Sequence, residues 1–188
     1  MVGTYVVTRR LVAVSGGITH ACFGGLGLGC YLGVSPMAIA GVFAIASALG
    51  VEWLSSRQRL RSDSAIAVVW AVGMAVGVLF VFMTPGYVPE LNSFLFGNIL
   101  TIDRADLWIF AAYLLLLCAF FAWKYRQIVA CAFDSDFARV QHLPVGFVNT
   151  CMTVLVALCI VLTIRLVGIM LLMSMVSLPQ LTAEVYVR

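Results

Sequence analysis

One ionisable side chain sits deep in an apolar stretch of this chain: His20, in a run that opens at Leu11. At 1.5 Å of helical rise per residue it lies about 15 Å from the start of that run, close to the middle of a hydrocarbon core of about 30 Å. Neutral imidazole is a good ligand for Zn, Fe or Cu and a serviceable proton relay, and it can equally hydrogen-bond a neighbouring helix. Thr19 beside it can bond its own helix backbone. No Asp, Glu, Lys or Arg lies mid-run, as expected where a central charge costs about 2.5 to 3.5 kcal/mol. Glu52 and Arg165 stand at run ends, where a long side chain can snorkel to water.

A second group of residues suits recognition. Cys131-Ala-Phe-Asp-Ser-Asp-Phe-Ala-Arg139 can form a short amphipathic helix with Phe133 and Phe137 on one face. Asp134 and Asp136 lie toward its N-terminal part and Arg139 at its end, as the helix dipole prefers. An exposed Phe pair on a loop is a docking surface; the alternative is an interfacial helix lying on lipid. No GxxxxGK[ST] loop, HExxH pair or nucleophile–base arrangement occurs, so any ATP is hydrolysed elsewhere. Of the six cysteines, five lie inside apolar runs and none forms CxxC, which reads as small buried apolar residues.

The elements that hold these residues are set by the solvent. Of 188 residues, 63% are hydrophobic and 10% charged, against roughly 25% charged in an ordinary soluble domain. The mean hydropathy of +1.10 covers the whole length, which excludes one anchor on a soluble domain and predicts a single transmembrane domain over 1–188. The +3 net charge sits in short loops and implies no nucleic acid. Met1 to Thr8 is too short for a secretory signal, and its Arg pair follows rather than precedes it.

Six apolar runs are long enough to span: Leu11 to Gly33, Pro36 to Leu54, Ala65 to Met83, Leu107 to Trp123, Val145 to Ile164 and Leu166 to Ala183. Charged or Pro/Gly-rich breaks separate them, the longest being Lys124 to Pro144. With Arg9 and Arg10 inside, Arg57, Arg59, Arg61, Lys124, Arg126, Arg139 and Arg188 also fall inside. Only Arg104 and Arg165 remain outside, as the positive-inside rule demands. The count requires the stretch from Thr84 to Asp106 to begin and end outside. Its apolar middle, Phe94 to Ile102, is too short to cross and reads as re-entrant or interfacial. Such backbone is tolerated only beside protein or a water-filled cavity. Gly25, Gly29 and Gly33, and then Gly73 and Gly77, recur every fourth residue and predict close helix packing. The fold class is therefore an all-α polytopic membrane bundle of about six spans plus one re-entrant segment.

Taken in order, Gly3-Thr-Tyr-Val-Val-Thr-Arg-Arg10, Gly17-Ile-Thr-His-Ala21, Leu60-Arg-Ser-Asp-Ser-Ala-Ile66, Leu95-Phe-Gly-Asn-Ile-Leu100, Phe133-Asp-Ser-Asp-Phe-Ala138 and Val167-Gly168 with Pro179 and Ala183 resemble the permease family of zinc, manganese and iron ABC importers. The resemblance runs along essentially the whole chain. It implies a homodimeric channel in the bacterial inner membrane and an ATPase subunit docked through Phe133, Asp134, Phe137, Ala138 and Arg139. It also implies an extracytoplasmic metal-binding protein, and a pathway past His20, Thr19 and Asn98. The divalent metal is cargo, and no cofactor belongs to this chain. Relatives commonly carry an Asp where Gly16 stands, so His20 is left as the one strong ligand, and manganese becomes harder to argue from ligand type. The family's usual glycine in the coupling loop is His142 here, and its usual polar residue before the Val-Gly turn is Arg165. That cation calls for neutralisation by Asp103, Asp106 or Glu90. Relatives also extend beyond both ends, so the chain reads as a fragment or as having a misassigned start. A permease for a metal chelate or haem-like ligand stays open, since it tolerates the lost carboxylate. A polytopic membrane enzyme would need a second catalytic group near His20, and a secondary transporter would need acids within the membrane.

Overall fold

The computed structural model describes residues 2–9, 11–57, 62–85, 94, 96–97, 102–133, 135–141 and 143–186. Among these the helices are α1 (Val2–Thr8), α2 (Val12–Leu32), α3 (Pro36–Arg57), α4 (Ser62–Met83), α5 (Arg104–Phe133), α6 (Ser135–Val140) and α7 (Val145–Tyr186). Five stretches are long and apolar enough to cross a membrane: Val12–Leu32, Pro36–Leu54, Asp63–Met83, Arg104–Phe133 and Val145–Leu172. A backbone that finds no water in lipid must satisfy its own N–H and C=O groups, and the helix is the way an apolar run does so.

α2 is the centre. Two thirds of it (67%) is buried, against 17% of the α4 span and 11% of the α5 span. The reason is its glycines. In lipid no hydrophobic drive pulls helices together, so contact depends on close packing. A Cβ on Gly27 would lie 2.4 Å from the Gly77 carbonyl oxygen of α4, and one on Gly73 would lie 2.6 Å from the Ala21 Cα. The opposite face of α2 meets α3, where a Cβ on Gly25 would reach the Ala40 Cα at 2.7 Å and one on Gly29 the Pro36 Cα at 2.6 Å. Backbone therefore touches backbone on both sides. Gly24 and Gly27 join the predicted set. Gly33 leaves it: an added Cβ there meets nothing within 4 Å. Gly33 instead ends α2 in the left-handed region at φ 66°, with its N–H on the Cys30 carbonyl and that of Val34 on the Gly29 carbonyl. This is a glycine C-cap, and it turns the chain tightly into α3.

Three segments differ from their sequence reading. Lys124 to Phe133, expected as loop, continues α5 past a kink at Lys124 (φ −109°, ψ 16°), because charge alone does not stop a helix that carries no Pro or Gly. The expected helix over 131–139 is divided: Cys131 to Phe133 closes α5, and α6 opens at Ser135. The last two apolar runs form one element broken not at Arg165 but at Gly168 (φ 77°, ψ 169°), a conformation open to glycine alone.

The packing makes a graded prediction. Gly27→Val or Gly77→Val should lower the thermal unfolding midpoint of the detergent-purified protein by several degrees, as overpacking of about 1 to 3 kcal/mol requires. Gly50→Ala, in open space within α3, should leave it unchanged or slightly raised. Equal midpoints for Gly27→Val and the wild type would refute the backbone contact.

Candidate functional site

The α2 glycines bring α4 so close that His20 and Trp70 stack. Their ring centroids are 4.4 Å apart and their planes 3° from parallel. His20 is half-buried, while Trp70 is exposed. Stacking uses the faces of the imidazole and leaves its in-plane nitrogens available; among the described residues neither makes a hydrogen bond. Thr19, fully buried, donates its hydroxyl to the Ser15 carbonyl at 2.7 Å, so it serves its own helix. Gly16 is buried beside them and supplies no side chain. Among the described residues no group of three His, Cys, Asp or Glu side chains could hold a metal.

The outer end is marked by an ion pair. Arg165 on α7 reaches Asp106 on α5 at 2.5 Å, with Asp106 buried (5% exposed) and Arg165 partly open (42%). Asp106 also caps its own helix, accepting the Asp103 N–H at 3.2 Å. Arg165 thus does not snorkel as a free cation; Asp106 neutralises it, one of the three acids expected to do so. Nearby, a Cβ on Gly97 (φ 72°) would lie 2.4 Å from the Val167 carbonyl carbon and 2.7 Å from the Gly168 nitrogen. Gly97 therefore presses its backbone onto the break in α7, while most of the expected re-entrant stretch, Phe94 to Ile102, lies outside the described residues. Phe94 is buried beside it, its ring 6.1 Å from that of Phe23 on α2. Asn98 lies outside the described residues.

The inner end is held by different bonds. Arg9 donates to the Cys131 carbonyl at 2.8 Å and to the Asn149 side-chain oxygen at 3.1 Å, joining the start of α2 to the ends of α5 and α7. Glu52 was expected to snorkel. Instead its Oε1 accepts the Thr150 hydroxyl at 3.0 Å, and its Oε2 is buried with no partner among the described residues. Helix α3 points this carboxylate at α7 rather than at water. The signal for it lay in the sequence as the polar triplet Asn149-Thr150-Cys151 at the same depth. On the inner side, Phe133 (82% exposed), Phe137 (55%) and Val140 (77%) form an apolar surface across the end of α5 and α6. Ala138 is fully buried and seats α6 on the bundle, with Arg139 exposed at its end. Asp134 and His142 lie outside the described residues.

The profile of the ABC 3 transport family matches residues 1–188. A probable metal transport system membrane protein of Chlamydia pneumoniae is 36% identical over 185 residues, covering 95% of this chain and 63% of that protein. The manganese transport system membrane protein MntC of Listeria innocua is 27% identical over 183 residues, covering 97% and 65%. Among solved structures, PsaBC from Streptococcus pneumoniae in complex with Fab aligns at a TM-score of 0.80 and 26% identity, over 97% of this chain and 66% of that one. The chain thus spans a little under two thirds of the length of these relatives.

The ion pair can be weighed directly. A double-mutant cycle of Asp106→Asn and Arg165→Gln, read as thermal unfolding in detergent, should return a coupling of about 1 to 3 kcal/mol, between an exposed pair and a fully buried one. Additive single effects would show that the two do not interact.

Proposed function

The chain belongs to the ABC 3 transport family, and from that premise we propose that it is the membrane-spanning permease subunit of an ATP-driven importer of divalent metal ions, manganese foremost. The observation that carries the reading is the unbroken match of the family to residues 1–188, on a bundle of membrane-spanning helices. The Chlamydia and Listeria relatives support metal as cargo and manganese as the first metal to try. As a multi-pass protein of the bacterial inner membrane, the chain provides the path, and a separate ATPase subunit supplies the energy.

Each structural group then takes a role. His20, held flat against Trp70, offers a nitrogen to a passing ion near mid-membrane. One imidazole per subunit is a weak site, so two copies meeting in a homodimer provide the better ligand set, and a weak site suits passage, since conduction requires that an ion leave as readily as it enters. The Phe133, Phe137 and Val140 surface docks the ATPase, with Ala138 fixing α6 so that the push of nucleotide closure reaches α7. Large apolar side chains in a desolvated patch are the usual anchors of such an interface. An extracytoplasmic metal-binding protein delivers the ion near the Asp106–Arg165 end.

Uptake of radioactive Mn, Zn and Fe by the full-length complex in liposomes tests the reading. ATP-dependent accumulation of manganese is expected, and His20→Ala should reduce it about tenfold or more. Accumulation of a metal chelate or haem with no free metal would overturn the proposal. Replacing Phe133 and Phe137 together with Ala should strip the ATPase subunit from the purified permease, and full retention would refute the docking surface.

A further inference from the structure

At the inner end a cavity of about 550 Å³ opens among α1, α2, α3, α4, α6 and α7. Its polar lining includes Arg9, Glu52, Asp63, Arg139, Asn149 and Thr153, with Tyr5 beside them. We propose that this cavity is the exit site of the permease, in which Glu52 is the carboxylate that receives the cation after His20; the inference rests on the transport reading above.

Three observations carry it. The first is the Glu52 Oε2, buried and without a partner among the described residues while its twin oxygen is fixed by Thr150. A buried carboxylate oxygen without a donor is costly to keep, and a cation is the partner that would satisfy it. The second is register. Contacts of Gly29 with Pro36 and of Gly25 with Ala40 run α2 and α3 antiparallel, which sets Glu52 level with Ala13, another wall residue of the cavity. His20 then lies seven residues farther out, about 10 Å along the axis. An ion leaving His20 inward meets Glu52 next. The third is the donor set. Carboxylate and hydroxyl oxygens from Glu52 and Thr153 are hard ligands of the kind manganese and magnesium prefer, and Glu52 restores to the path the carboxylate that Gly16 does not provide.

The neighbouring cations fit an exit rather than a store. Arg9 spends its N–H groups on Cys131 and Asn149, which holds the wall in place and occupies the amide oxygen that would otherwise bind the ion tightly. Asp63, exposed at the start of α4, stands at the mouth as the next acceptor toward the cytoplasm. With one buried carboxylate the ion keeps most of its water and leaves quickly.

The test uses the full-length protein with its ATPase partner and Mn²⁺ alone as the probe. Electron paramagnetic resonance titration of the purified complex should show a weak Mn²⁺ site that Glu52→Gln abolishes and Glu52→Asp keeps. ATP-driven uptake of ⁵⁴Mn should fall about tenfold in Glu52→Gln, with the ATPase subunit still retained on the purified permease. An unchanged titration and uptake within twofold of wild type in Glu52→Gln would overturn the site. So would an equal loss in Thr150→Val, which removes only the bond to Oε1 and would mark a structural tie. If the wild type binds Mn²⁺ through Glu52 yet transports none, the transport reading fails while the site stands.

Discussion

Everything in this fold depends on how closely α2 can approach its neighbours. Lipid offers helices no gain from burying apolar surface against each other, since the tails are as apolar as leucine. What remains is dispersion between atoms in contact, individually weak and strong only in number. Glycines and Ala21 let the α2 backbone lie against the backbones of α3 and α4, and the other helices assemble around that triple contact. The functional groups inherit their positions from it. His20 can stack on Trp70 only because α4 is near enough, and Glu52 stands level with Ala13 only because α3 is locked in antiparallel register.

Among the described residues the charged side chains that bond across helices gather at the two ends, with the His20 ring between them. At the outer end Asp106 and Arg165 join α5 to α7. At the inner end Arg9 and Glu52 join α2 and α3 to α7 through Asn149 and Thr150. Both sets converge on α7, whose two halves meet at Gly168. Tyr113 adds an uncharged link, its hydroxyl donating to the Leu155 carbonyl at 2.8 Å, and keeps α5 travelling with α7.

The sequence made the bundle legible because hydropathy is additive and needs no partner. The all-helical bundle of apolar spans and most of the small-residue faces can be read from residue type and order. Boundaries were less so: Lys124 looked like a loop because charge marks a membrane edge, whereas the helix passes that edge and continues. Gly33 shared the spacing of Gly25 and Gly29 but lies one turn too far along and ends the helix. At the site, depth alone singles out His20 as a candidate, and Asp106 is one of the three acids that the sequence offers as counter-ion to Arg165. Glu52 was misread because its distance from the run end fits snorkelling as well as burial. Only the position of Thr150 on another helix, far away in sequence, distinguishes the two.

Gly97 and Gly168 meet with no side chain between them. In mechanical terms that contact is a keyhole. A Cβ on Gly97 would strike the α7 backbone, so any larger residue there would have to push the segment and the helix apart. The spacing between them at this point is therefore fixed by a pair of hydrogen atoms.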